Sequence, residues 1–360
     1  MAQTTQAGLT LTDLTYFGRQ FVKYGIITVV VLIVGRTLLT AFIAFWKATH
    51  PAPPPPPTVG FGILPAIKFP AQTSDDKPGA YVLETATGTT PDFGDRAPVL
   101  FMPKSAASLL ADQRARSIAT AFEFGSEPEV LDSRTYRWTK SQPLEYVLEM
   151  DIQNYHFELT SDYLTRPELI TDLNLPDNFE AVEMVKGYLT NVDLLPEDMA
   201  TAAGEVTYLK SIGGQLQQAV SFSDADFIQV DLNRTPVEDA YRMYSPEGYK
   251  GTAHAVLAGT SNGQGAIVHF EYHYNPADNS EVHTYPIRTS QSAWKLLQSG
   301  EGFIVNKGAG TRAVIRDVAL GYFDSFEEQD YLQPVYVFSG DDGFLAYVPA
   351  IDPEFIQTGQ

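Results

Sequence analysis

The sequence predicts an α+β protein with an N-terminal transmembrane helix, a proline stalk and an extracytoplasmic body of antiparallel sheet and helices. Three observations support this prediction. A long apolar run lies near the N-terminus, a run of prolines follows it, and the remainder consists mainly of strand patterns interrupted by a few helical ones. Strands and helices in strict alternation would favour a parallel doubly wound sheet, so their irregular order here favours antiparallel α+β structure.

The apolar run extends from Gly25 to Trp46 and predicts the transmembrane helix. As a helix it would span about 33 Å, close to the roughly 30 Å of a bilayer's hydrocarbon core. A cleaved signal peptide is the alternative. The run is too long for one, a polar tail precedes it, and no small-x-small cleavage site follows it. An uncleaved anchor is therefore the favoured interpretation.

The direction of the predicted span follows from the charges beside it. Arg19 and Lys23 precede the run, and only Lys47 follows it closely. Because positively charged flanks favour the cytoplasmic side, the bias predicts a short cytoplasmic tail over residues 1–24. The expected localisation is the cell membrane, with a single pass over residues 25–46 and the body outside.

Arg36 lies in the middle of the apolar run. A charge at that depth costs about 2.5–3.5 kcal/mol on insertion scales and usually faces a partner or snorkels. Two interpretations stay open: a passive anchor with a snorkelling arginine, or a contact face for a second copy or another membrane protein. Small residues four apart beside Arg36 favour close helix approach. The candidate helix–helix interface comprises Arg36, Thr37, Thr40, Ala41 and Ala44.

The chain beyond the span divides by composition into a linker and two predicted units. Residues 47–70 form a Pro-rich stalk, in which Pro51–Pro57 predicts polyproline II, although the apolar positions after it suggest packing on the body. A faint internal repeat suggests two related α+β units, residues 71–170 and 171–360, separated by turn-rich sequence near residue 170.

Helix and turn signals punctuate the predicted body. Three helices are expected: "SAASLLADQRARSIATAFEF" capped by Ser105, "DNFEAVEMVKGYL" capped by Asp177 or Asn178, and "TSQSAWKLLQSG" closed by Gly300. Hairpin turns are expected at residues 213–214 and 340–343, where glycines fall between strand patterns.

Charge and composition exclude several classes of function. The chain has a formal net charge of −20 and contains no cysteine. Asp13 is the only acidic residue before residue 70, so the acidic charge is concentrated in the body, which should repel nucleic acid. The absence of cysteine excludes disulfides, thiolate nucleophiles and thiolate metal sites. No nucleophile elbow, phosphate loop, dinucleotide fingerprint or HExxH motif is present, so no catalytic residues are predicted.

One stretch, "HFEYHYNPADNSEVHTY", could bind a metal ion. On a strand, His269, Glu271 and His273 share one face. If residues 275–279 form a hairpin loop, His283 and Glu281 lie opposite on the same face, which would suit Zn²⁺. The simpler alternative, which alternation alone predicts, is a polar face in contact with water. The predicted metal ligands are His269, Glu271, His273 and His283.

The C-terminal stretches "TYPIRTSQSAWKLLQSGEGFI", "VALGYFDSFEEQDYLQPVYVFSG" and "FLAYVPAI" resemble the C-terminal module of YycI-like and YycH-like proteins over about residues 283–350. That family consists of single-pass bacterial membrane proteins, with PepSY-style α+β bodies, that regulate two-component sensor kinases. The resemblance implies a non-enzymatic regulator of the cell envelope with a sensor kinase as partner. It carries no active-site residues.

Three function classes remain from the sequence. The favoured one is an interaction protein that contacts a membrane partner through its helix and its body. The second is a module that binds glycan or another surface polymer of the cell envelope. The third is a metal-dependent enzyme at the predicted histidine hairpin.

Overall fold

The computed structural model describes residues 11–49, 55–106, 108–125, 127–141, 144–166, 174–259 and 266–357. It divides into two compact units, Met1–Pro56 and Pro57–Gln360. The first ten residues of the predicted tail, Pro51–Pro54 of the predicted stalk, and the predicted boundary near residue 170 lie outside the described residues.

The first unit contains helix α1, Leu11–Thr49. An 18-residue window of its segment Thr15–Lys47 has a mean hydropathy of 2.4, and the segment is long and apolar enough to cross a membrane. Successive helical residues project about 100° apart, so the consecutive apolar residues of Val29–Val34 make α1 apolar all round, as is typical of a helix surrounded by lipid. The described residues therefore contain one candidate membrane-spanning helix, near the N-terminus.

The described part of the second unit, called the body below, contains four further α-helices and seventeen strands. The helices are α2 (Ala111–Ala121), α3 (Asn178–Asn191), α4 (Glu197–Ala200) and α5 (Ser290–Gln298). The strands are β1 (Ala80–Leu83), β2 (Arg96–Phe101), β3 (Glu129–Val130), β4 (Thr135–Lys140), β5 (Tyr146–Asp151), β6 (Phe157–Ser161), β7 (Glu205–Ile212), β8 (Gln215–Gln218), β9 (Phe227–Leu232), β10 (Met243–Tyr244), β11 (Ala253–Ala258), β12 (Ala266–Tyr272), β13 (Asp278–Pro286), β14 (Phe303–Asn306), β15 (Arg312–Phe323), β16 (Tyr331–Gly340) and β17 (Leu345–Pro349).

Nine strands form an antiparallel sheet in the order β3-β4-β5-β6-β12-β11-β9-β7-β8. Strand β5 alternates between buried and half-buried residues, so one face of the sheet is apolar and the other polar. Helices α2 and α3 belong to the core on the apolar face, where Ile118 and Val185 join Leu148 and Phe270 in one cluster. The polar face remains available for other groups.

The other eight strands, β1, β2, β10 and β13–β17, form the second sheet, with the central order β1-β15-β16-β17-β14. It is antiparallel except where β1 and β10 pair with β15. Helix α5 contributes Ala293, Trp294 and Leu297 to its core. Every residue from Leu332 to Phe338 of β16 is buried, so this strand is covered on both faces.

The turns and two of the three helices confirm the sequence predictions. Asp177 caps α3 with a full capping box, in which its side chain accepts the Glu180 N–H. Gly300 follows α5 with a φ of +82°. Gly213 and Gly214, both at positive φ, connect β7 to β8, and residues 340–343 connect β16 to β17.

The predicted start of the remaining helix is wrong. Helix α2 begins at Ala111 rather than after Ser105, and no side chain caps it. Leu109 and Leu110, which suggested an earlier start, are exposed and so do not continue the buried stripe. The Ser105 carbonyl instead accepts a hydrogen bond from the Gln153 side chain.

Residues 57–70 belong to the body, as their apolar positions suggested, rather than to a free linker. Leu64 is fully buried and bridges to Ile356, and the ring of Phe61 packs on that of Tyr331 at 4.9 Å. Strands from either side of residue 170 also pair in both sheets: β6 with β12, and β2 with β13. Two separate related units are therefore not confirmed.

A buried ion pair connects the two sheets. Arg234 follows β9 of the nine-stranded sheet, and Asp324 follows β15 of the eight-stranded sheet. Their side chains are 3% and 1% exposed, and Arg234 Nε donates to Asp324 Oδ2 at 2.8 Å. Arg234 also donates to the Asn275 carbonyl and stacks on the ring of Tyr274. Such a pair is costly to break, because either partner alone would be an uncompensated buried charge.

Candidate functional site

A row of ionisable side chains crosses the polar face of the nine-stranded sheet. Residues directly opposite each other on neighbouring strands share one face, so the strand register defines the row. In strand order it contains Glu129, Arg137, Glu149, Glu158, Glu271, His254, Asp231 and Glu205. Glu129, Glu158 and Glu205 are exposed, whereas the row is covered where β12, β11 and β9 meet.

His254 lies at the covered centre of this row, between Asp231 and Glu271. Its Nδ1 lies 2.7 Å from Asp231 Oδ1. The same carboxylate accepts the Gly251 N–H at 2.8 Å and the Gln229 side-chain amide at 2.7 Å. Because a carboxylate accepts hydrogen bonds, neutral His254 donates through Nδ1 and keeps its lone pair on Nε2.

Glu271 is held by two donors, His269 and Lys250, and the ring of His273 lies close by. Its Oε1 lies 2.7 Å from His269 Nε2, and its Oε2 lies 2.7 Å from Lys250 Nζ and 3.6 Å from His273 Nε2. Burial would raise the pKa of Glu271, but its contacts with His269, His273 and Lys250 outweigh burial and hold the pKa well below its usual range. Glu271 is therefore a carboxylate at neutral pH.

Lys250 keeps its positive charge in the same network. Burial alone would lower the pKa of Lys250, but its contacts with Glu271 and with Glu247, whose Oε2 lies 3.0 Å from Nζ, raise the pKa instead. Burial would likewise raise the pKa of Asp231. The hydrogen bonds that Asp231 accepts, together with the charge of a protonated His254, outweigh burial and leave that pKa below its usual value. Charged groups thus meet at one covered position on the sheet.

The structure brings together only part of the predicted metal-binding set. His269 and Glu271 share a face and are in contact, as predicted, and His273 is close to Glu271. The predicted hairpin is wrong, because β12 pairs with β6 and β11 whereas β13 pairs with β2 in the other sheet. His283 therefore does not lie opposite Glu271. Its Nδ1 contacts the Thr58 hydroxyl at 3.2 Å, and its ring packs edge-on against Phe61.

The predicted hairpin loop instead carries the chain from one sheet to the other. Asn275, the first residue of that segment, is buried, and its side-chain amide donates to the carbonyls of Ser325 and Glu327. A tight turn would expose this residue. These hydrogen bonds, together with that from Arg234 to the Asn275 carbonyl, anchor the segment in the interior.

Three members of the network were missed from the sequence: His254, Asp231 and Lys250. The alternation of "AHAVLA" in β11 could have placed His254 on the polar face. Its position beside Glu271 depends on the pairing of β11 with β12, and that of Asp231 on the pairing of β9 with β11. Spacing within a single strand does not contain that information.

A cleft of about 870 Å³ adjoins the network. Glu247 and Phe326 line it, and both also contact the network: Glu247 through Lys250, and Phe326 through its ring, 4.8 Å from that of His273. The other polar lining residues include Lys68, Gln72, Asn306 and Lys307. The cleft thus combines aromatic surface with hydrogen-bonding groups of both signs of charge.

The predicted helix–helix interface lies on α1, with Arg36, Thr37, Thr40, Ala41 and Ala44 all exposed. The hydroxyls of Thr37 and Thr40 donate within the helix, to the carbonyls of Val34 at 2.8 Å and Thr37 at 2.9 Å. Both can therefore lie in an apolar environment without a partner's hydrogen bond. Among the residues that the structure describes, the Arg36 side chain forms no hydrogen bond or ion pair.

Comparisons with known proteins leave the function open. No family model matches the chain, and no curated protein matches it. A crystal structure of an uncharacterized protein from Eubacterium rectale is similar over 71% of this chain and 82% of that chain, with 12% identity and a TM-score of 0.31. A likeness this distant supports no inference about the site or the function.

Proposed function

We propose that the protein is a membrane-anchored, non-enzymatic interaction protein that holds its acidic body outside the cell membrane and contacts a membrane partner. The observation that carries the proposal is α1, a helix that is apolar on every side. None of the apolar side chains in its hydrophobic segment is buried. Water would be a poor environment for such a helix, and a bilayer would be a favourable one.

Arg36 supports a partner rather than a passive anchor. A guanidinium among the apolar residues of a span usually faces another helix or reaches for the interface. Thr40, Ala41 and Ala44 would let a second helix approach closely on that side. An acidic group on the partner would compensate the arginine, and the resemblance to YycI-like and YycH-like proteins suggests a sensor kinase as that partner.

Site-specific photocrosslinking in native membranes tests this proposal. A photoreactive amino acid in place of Thr40 is expected to trap one specific protein, either a second copy or another membrane protein. The same group in place of Phe42, on the opposite side of α1, is the matched control and should give mainly lipid adducts. Lipid adducts alone from both positions would contradict the proposal.

A pull-down measures how much the charge of Arg36 contributes to binding of the partner. The wild-type chain and Arg36→Leu are captured side by side from native membranes. If Arg36 pairs with an acidic group, Arg36→Leu should recover at least several-fold less of the crosslinked partner, while membrane insertion is retained. Equal recovery would indicate that Arg36 snorkels to the membrane interface and that the helices make contact through their small residues.

A second candidate function rests on the cleft. Its aromatic and amide lining, including Phe326 and Asn306, is of the kind that binds polyols, so the body could hold an envelope glycan or another surface polymer. Cosedimentation with purified cell-wall material tests this candidate. The wild-type protein should sediment with the wall and Asn306→Ala should not; a wild-type protein that stays in solution would remove this candidate.

A further inference from the structure

We propose that His254, His269 and Glu271 form a binding site for a divalent transition-metal ion, with Zn²⁺ as the best fit. The three side chains lie on adjacent strands, β11 and β12, and their ligand atoms are all within 4.8 Å of one another. This set shares His269 and Glu271 with the sequence-predicted one, adds His254, and leaves out His273 and His283.

The donor types suit this class of ion. Two imidazoles and one carboxylate are a ligand set found in zinc sites that keep an open position. Mg²⁺ and Ca²⁺ prefer oxygen ligands throughout, so the two histidines favour zinc or a similar metal. Metal–ligand bonds of about 2.0–2.1 Å require the donor atoms, which now lie within 4.8 Å of one another, to close to about 3.3 Å.

The orientation of His254 matches that of a metal ligand. Ligating histidines almost always donate their second ring N–H to a carboxylate or carbonyl, which fixes the tautomer. Asp231 supplies that carboxylate at 2.7 Å from Nδ1, and it is itself fixed by the Gly251 N–H and the Gln229 amide. Nε2 is then the free ligand atom, pre-oriented by a buried acceptor.

Glu271 also retains a ligand atom. Lys250 contacts Oε2, while Oε1 lies 2.7 Å from His269 Nε2. A metal ion would replace the proton in that hydrogen bond, with both atoms becoming ligands and the imidazole proton residing on Nδ1. No other bond needs to break.

The charge of the cluster favours a divalent cation. The network contains the carboxylates of Asp231 and Glu271 and the ammonium of Lys250, which also contacts the more exposed Glu247. Metal ligation requires neutral imidazoles, so in the metal-binding state the three carboxylates outnumber the ammonium by two charges. A bound Zn²⁺ would balance that excess.

Zinc titration of the full-length protein in detergent tests the site. Isothermal titration with ZnCl₂ after chelator treatment is expected to show one ion per chain at micromolar concentration, and the protein should unfold at a higher temperature with zinc than without it. Co²⁺ substitution should give visible absorption bands typical of a four- or five-coordinate site. His269→Gln should abolish this binding, and Asp231→Asn should weaken it about 10–100-fold.

His283→Gln is the matched control, because it removes a histidine of the other sheet and should leave zinc affinity unchanged. Far-UV circular dichroism verifies that each variant is folded. No binding by the folded wild-type protein at micromolar zinc would overturn the proposal. So would binding that survives in His269→Gln, or binding that is lost in His283→Gln. The membrane-partner proposal is independent of all these outcomes.

Discussion

The two sheets of the body differ in what covers them. In the eight-stranded sheet, residues Leu332–Phe338 of β16 are buried without interruption, so both faces of that strand are packed. In the nine-stranded sheet, β12 alternates: Phe270 and Tyr272 are buried, whereas His269 and Glu271 are only half-buried. The ionisable network forms on the face that lacks an apolar cover, because charged groups are too costly to bury without partners.

The two sheets of the body have different roles. The eight-stranded sheet carries many of the largest fully buried side chains, among them Tyr336, Phe338 and Tyr347. The centre of the nine-stranded sheet combines a packed face with a polar face that is partly covered by Lys250 and adjoins the cleft. We infer that the first sheet mainly supplies stability and that the second carries the site.

The largest expected effect is therefore in the eight-stranded sheet. Phe338→Ala should lower the free energy of unfolding by about 3–5 kcal/mol, because it leaves a cavity among residues that are packed on both faces. Val220→Ala, at a residue that is 95% exposed just beyond β8, is the control and should change it by less than about 0.5 kcal/mol. Urea denaturation of the full chain measures both. Equal effects would contradict the packing described for β16.

A pH effect of intermediate size is expected from His156, beside the polar face. Burial lowers the pKa of His156 to about 4. Its Nε2 lies 3.0 Å from the Tyr274 carbonyl and its Nδ1 lies 3.2 Å from the Asn154 amide, which suits the neutral ring. The unfolded chain takes up a proton near pH 6.5, whereas the folded chain takes it up only near pH 4. The contribution of His156 to stability is therefore fully present above pH 6.5 and falls as the pH drops towards 4, by about 3 kcal/mol in total.

His156→Gln separates this effect from the titration of the many carboxylates. The variant has no group that titrates in this range at that position, so the difference between its unfolding free energy and that of the wild type should change between pH 7 and pH 4. Urea denaturation at several pH values measures the difference. A difference that is independent of pH would show that His156 is not held neutral.

The smallest expected effect lies on the polar face itself. Glu158 is exposed, and the register places it directly between Glu149 and Glu271, two further carboxylates. Like charges directly opposite on neighbouring strands destabilise a sheet, so Glu158→Gln should raise the free energy of unfolding by about 0.2–1 kcal/mol. The gain should shrink at high salt. A decrease in the free energy of unfolding would mean that Glu158 makes a favourable contact with a group outside the row of ionisable side chains.

The sequence allowed the local features to be predicted. The apolar helix follows from a long run without acidic residues, the cap at Asp177 from its capping box, and the hairpin at Gly213–Gly214 from two adjacent glycines. The common face of His269 and Glu271 follows from strand alternation. Each of these features depends on residues close together in the chain.

The sheet partners could not be predicted, and the site depends on them. Alternation shows which face a residue occupies but not which strand lies beside it. The polar character of residues 275–279 suggested a turn, yet Asn275 is buried by contacts with Arg234 and Ser325, which lie far away in the chain. The grouping of His254 with Glu271, and the separation of His283 from both, follow from that pairing alone.

Because the chain contains no cysteine, single-cysteine labelling tests directly whether α1 anchors a body outside the membrane. Gln6→Cys and Ser133→Cys variants each carry one thiol, the first in the predicted tail and the second at an exposed residue between β3 and β4. Intact bacterial cells that express each variant are treated with a membrane-impermeant maleimide. We expect labelling of the Ser133→Cys variant in intact cells and of the Gln6→Cys variant only after permeabilisation. The reverse pattern, or labelling of neither until the cells are opened, would contradict it.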